Sequence, residues 1–147
     1  MDSHKMKTAT IISLLLFVCS LSAQKYNFRH AILPASLAMV SGACWGMHET
    51  CVHHPDRLPD SWNAQWWDGR ISWTNKGTGL WGSTFGAFGS DAKHTFGTLH
   101  RYSLFASGLT VTIGQKRPAW HYFADMAISF AAFSVGFHTV YSIAFHK

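Results

Sequence analysis

The sequence predicts an all-α membrane bundle of about three transmembrane helices. They follow an N-terminal signal peptide or signal anchor, and a tryptophan-rich interfacial loop separates the first from the second. Three observations carry this reading. Charged residues make up 13% of the 147 and hydrophobic residues 48%, about half the charged share of a soluble domain. The few charges leave apolar stretches as long as a membrane span. Lys and Arg border those stretches singly or in pairs, so the formal net charge of +5 reads as a topology signal and not as the clustered basic face of a nucleic-acid binder. The competing soluble bundle would need a polar stripe on each helix. The second and third spans carry only Arg101 and Asp125 as formal charges, which is too little for one.

Residues 1–23 come first. Lys5 and Lys7 precede the apolar run Ile11–Leu21, and Ser22, Ala23 and Gln24 follow. This is the layout of a secretory signal peptide. Cutting after Ser22 puts small Ser20 at the preferred position, whereas cutting after Ala23 puts Leu21 there. A retained signal anchor is the alternative. Residues 24–147 form a single helical membrane domain with spans at about 31–50, 95–113 and 120–145, each near the ~20 residues that cross a hydrocarbon core. Gly114-Gln115-Lys116-Arg117-Pro118 joins the last two as a helical hairpin, with Gly ending one helix and Pro opening the next.

If the N-terminus starts in the cytoplasm, the inner side holds Lys5, Lys7, Arg57, Arg70, Lys76, Lys93 and Lys147, and the outer side Lys25, Arg29, Lys116 and Arg117. Seven against four favours a multi-pass inner-membrane protein in that orientation. Small residues mark the expected helix contacts: Gly42 and Gly46 on the first span, Ser103 and Ser107 on the second, Ala127, Ala131 and Ser134 on the third. Cys44 and Cys51 sit about two helical turns apart, roughly 10 Å, too far for a disulfide. Both are expected as buried free thiols.

Ten histidines are many for this length, and several fall at one end of the spans. Counted at ~1.5 Å per residue from the opposite ends, His48, His100 and His138 lie at depths of ~21–27 Å, within a helical turn of each other. Ionisable groups inside a membrane are costly and mark function, and imidazole is a common metal ligand. The expectation is a metal or haem centre (Zn, Fe or haem) with His48, His54, His94, His100 and His138 as ligands and Glu49 and His53, at i and i+4, as catalytic groups. It would act on a lipid or other membrane-soluble substrate. A hydrogen-bonded polar cluster is the plain alternative. The run His48-Glu49-Thr50-Cys51-Val52-His53-His54 is not the zincin HExxH, since its second His comes one residue late. It shares chemistry, not membership, with the histidine boxes of membrane di-iron enzymes. On the opposite side, His121 and Asp125 make an i,i+4 pair with Arg29 and His30 at the same level.

The loop, residues 55–92, holds five of the seven tryptophans, a headgroup-layer residue. Leu80–Gly89 is apolar but too short to span. Trp67, Asp68, Arg70, Asn75 and Lys76 are the candidates for holding a lipid headgroup. The second functional expectation is therefore a non-enzymatic protein that binds a lipid or protein partner through this loop. For so few helices a homo-oligomer is the other partner to expect. Trp45-Gly46-Met47-His48-Glu49, the stretch Trp66 to Lys76 and the stretch Ile113 to Tyr122 together resemble a group of small uncharacterised bacterial membrane proteins, some of them phage-carried. The likeness covers most of the chain after residue 30 and implies the membrane fold, but no activity.

Overall fold

The structure is a computed structural model that describes residues 25–72, 89–114 and 116–145. The expected signal segment 1–23, Trp73, Asn75, Lys76, Trp81 and most of Leu80–Gly89 lie outside them. Every regular element among the described residues is helical. Helix α1 runs Arg29–His53. A 3-10 turn, Pro55–Arg57, and the short helix α2, Ala64–Trp67, follow. Helix α3 is Ala92–Thr112 and helix α4 is Ala119–His138. Helix α4 continues as a π-helical stretch, Thr139–Ala144. Each long helix begins one to three residues before the start of the span that the hydrophobic pattern places there.

The ends obey local chemistry. Asp91 caps α3 by accepting from the His94 N–H at 2.8 Å, which satisfies one of the four orphan donors of a helix start. Gly114 adopts φ +125°, the left-handed region that favours glycine, and Pro118 precedes α4 with no N–H to lose. Pro34 lies inside α1.

Helix α1 is the shared wall. It packs along both α3 and α4, while these two scarcely touch each other. Helix α4 runs parallel to α1, with Gly42 beside Phe133 and Gly46 beside Phe137. Helix α3 runs antiparallel, with Ser41 bonded to His100 and Ser107 donating to the Pro34 carbonyl at 2.8 Å. Gly42 and Gly46 therefore do serve the close contact expected of them. On α4 the contact face differs from the expected one. Ala127 and Ala131 are exposed, and the buried residues are His121, Asp125, Ser129 and Gly136. The glycine decides this: a Cβ at Gly136 would collide with the Met39 carbonyl, so only that side of α4 can meet the α1 backbone.

Polar groups are buried and large apolar ones exposed. Ser41, Thr50, Ser107, Asp125 and Ser129 are inside, while Leu33, Tyr102, Phe105, Phe123 and Phe130 face out, Phe130 at 73%. Two helices, Arg29–His53 and Ala119–Ala144, are long and apolar enough to cross a membrane. Helix α3, 21 residues long, is not among them; Lys93, His94, His100 and Arg101 occupy its first half.

Candidate functional site

The expected ligand set does not converge. No group of three or more His, Cys, Asp or Glu side chains is placed to hold a metal ion among the described residues. His48 and His100 both lie against the Trp45 indole, with ring centroids 4.9 and 4.7 Å from it. His48 Nδ1 donates to the Lys93 carbonyl at 2.8 Å. The Ser41 hydroxyl donates to the His100 carbonyl, so His100 Nδ1 donates in turn to the Ser41 oxygens, Oγ at 2.9 Å and the carbonyl at 3.2 Å. Gly97 makes the room: a Cβ there would sit 3.1 Å from His48 Nδ1. These two imidazoles bind α1 to α3.

The remaining residues of the set have separate partners. His138 is exposed and bonds Ser142 one turn on, at 3.1 Å. It shares the outer face of α4 with Ala131. His94 Nδ1 turns to the Asp91 carboxylate at 2.8 Å. Glu49 and His53 pair with each other at 3.4 Å on the surface. His54 ends α1 and meets the Tyr141 ring at 5.7 Å. Cys44 and Cys51 are buried free thiols, as the spacing requires.

The loop builds a cap over the α1 C-terminus. Cys51, Leu58 and Ala92 are its buried centre, with Trp62, Trp66, Trp67, Phe96 and Phe145 packed around them. Gly69 N–H donates to the Cys51 carbonyl at 2.8 Å, an acceptor left over where α1 ends. A Cβ at Gly69 would sit 2.8 Å from that oxygen, so the approach is open to glycine. Lys93 Nζ then donates to the Gly69 carbonyl at 3.2 Å. Asp68 and Arg70 form a two-pronged pair with Nη2–Oδ2 at 2.7 Å, and this hydrogen bonding holds the Asp68 carboxyl below the usual carboxylate range. Beside the pair lies a cleft of about 250 Å³ lined by Pro59, Asp60, Trp62, Trp67 and Asp68. The Trp62 and Trp67 rings stand 4.2 Å apart, tilted by 37°.

At the far end, where the sequence reading set His121 and Asp125, it missed the part played by Arg117 and Tyr26. Asp125, fully buried, meets Arg117 with Nη1–Oδ2 at 2.6 Å. Tyr26 donates to the other carboxylate oxygen. Arg117 Nη2 also donates to the Val111 carbonyl at 3.0 Å, and its guanidinium lies 4.7 Å from the Tyr122 ring centroid. The signal was present: an Asp inside an apolar helix needs a countercharge, and the basic turn just before α4 supplies one. Burial foremost, then the hydrogen bond and charge of Asp125, push the Tyr26 phenol up to about 12, with Arg117 opposing. The folded chain thus keeps a proton that the unfolded chain releases near its ordinary value of 10.0. The contribution to stability is complete below that pH and is lost as pH rises through about 12. Denaturation of the wild type against Tyr26→Phe across this range should show that alkaline loss in the wild type only.

Compared with protein-family models, curated proteins and solved structures, the chain matches none. Among the described residues, the class defined by its own features is a helical protein with two helices long and apolar enough to cross a membrane, an aromatic cap at one end and a buried ion pair at the other.

Proposed function

We propose that the chain is a three-span inner-membrane protein, α1, α3 and α4 crossing, that binds the headgroup of a membrane lipid in the cleft of its tryptophan cap without catalysing a reaction. The outward-facing aromatic and aliphatic side chains and inward-facing polar ones support the membrane reading, since water would favour the reverse. With polar faces turned into the bundle, α3 needs less apolarity than a lone span. The Lys and Arg bias favours a cytoplasmic cap.

The observation that carries the binding role is the cleft itself. Two indoles beside a small volume, with Asp60 and Asp68 on its wall, are chemistry that recognises an ammonium group, chiefly through cation–π attraction. An ethanolamine headgroup fits that description. Asp68 stays tied to Arg70 and shapes the wall. The test is native mass spectrometry of the detergent-purified chain with added phosphatidylethanolamine or phosphatidylglycerol. Ethanolamine lipid should stay bound to the wild type and to His48→Ala, and leave the Trp62→Ala/Trp67→Ala double variant. Equal retention of phosphatidylglycerol, or loss in His48→Ala as large as in the tryptophan variant, would reject the role.

A further inference from the structure

A second cavity lies where α3 and α4 part over α1. It measures about 470 Å³, within the range of small-molecule sites. Ala38 of α1 lines it, and it reaches from Val111 to Leu104 along α3 and from Met126 to Phe133 along α4, about two helical turns. Its walls are apolar but for two hydroxyls. Ser107 already donates to the Pro34 carbonyl. Ser129 is 8% exposed and its Oγ has no partner among the described residues. That is unusual for a helical serine, which ordinarily turns back to the carbonyl four residues earlier. On the same helix Ser134 and Thr139 do so, at 3.1 and 2.7 Å.

We infer that this groove binds a neutral, slender, membrane-dissolved molecule whose single carbonyl oxygen accepts the Ser129 hydroxyl. A buried hydroxyl without a partner is costly, and an acceptor on a guest removes the cost. The guest is uncharged because no charged side chain lines the groove among the described residues, and Arg117, which reaches the Val111 carbonyl, is paired with Asp125. It is slender because two turns of a helix about 10 Å across fill roughly 800 Å³, more than the groove holds. A fatty ester and a polyprenyl ketone share the required carbonyl. The inference rests on the membrane reading and is independent of the tryptophan cleft.

The experiment uses the full chain in liposomes with three photoactivatable probes: a long-chain alkane, a fatty ester and a polyprenyl ketone. Labelled residues are mapped by mass spectrometry. At least one carbonyl probe should label Leu104 and Met126 in preference to the alkane, and the stronger of the two identifies the source. Ser129→Ala should cut that preference about fivefold, the ratio given by a hydrogen bond on the order of 1 kcal/mol. Gly108→Leu, at a position where an added Cβ meets nothing within 4 Å, should abolish groove labelling by all three. Equal labelling by alkane and carbonyl probes, no effect of Ser129→Ala, or dimers cross-linked through Gly108→Cys would overturn the inference. The alkane should still mark Phe105 and Phe123 on the outer faces; if it does not, the membrane reading fails instead.

Discussion

Gly136→Val is expected to pull α4 off α1 and to destabilise the protein by about 3 kcal/mol or more, at or beyond the upper end of overpacking costs. The obstacle is main chain. A Cβ at position 136 would strike the Met39 carbonyl and crowd the Ala43 nitrogen, while one at Gly42 would strike the Phe133 carbonyl. No rotamer change relieves a collision with backbone, so the helices must separate along their whole contact. Separation also undoes the approach at Gly46, where a Cβ would sit 2.8 Å from the Phe137 carbonyl. The measurement is unfolding in mixed micelles, followed by circular dichroism and tryptophan fluorescence. Gly108→Ala is the control. It adds a Cβ into open space and should be neutral or slightly stabilising, since alanine is the better helix former.

Arg117→Ala should cost about 3–5 kcal/mol, because it strands a fully buried carboxylate. Asp125→Ala should cost a similar amount by stranding a guanidinium that is 12% exposed. The informative variant is the double one. With Arg117→Met and Asp125→Leu together, apolar groups replace both charges, and much of the lost stability should return. A double-mutant cycle would then show a coupling well above the ~0.5 kcal/mol expected of independent sites. If the two single losses simply add, the pair is not acting as a unit. Tyr26→Phe removes one hydrogen bond and should cost about 1 kcal/mol.

Long, charge-poor apolar stretches were enough to locate the three long helices, and the turn between the last two is punctuated by its own chemistry, Gly114 and Pro118. The Gly42–Gly46 contact was legible for a similar reason, since two glycines four apart admit a backbone wherever one is near. Depth along a helix was legible in part: His48 and His138 lie near one end of their helices, whereas His100, bonded to Ser41, sits level with the middle of α1. Azimuth was not. A helical residue's depth follows from counting, but its direction depends on which face the partner helix occupies, and Gly136 turned α4 so that His138 faces outward. The Arg117–Asp125 pair was hidden for a different reason. Pairing by i,i+4 spacing favoured His121, whereas Arg117 reaches Asp125 from the turn before the helix begins.

The arrangement of α1 as a wall shared by two helices that barely touch has a consequence for how the protein is built. Chains are made from the N-terminal end, so α1 is in place before either of its neighbours. Helix α3 then docks by local polar pairing through Ser41, His48 and Pro34, and α4 arrives last, seating its glycine against a surface already formed. The hairpin of α3 and α4 has little to hold it closed until then. Assembly is therefore templated by the first helix, and a chain that loses α1 loses the surface on which the other two find each other.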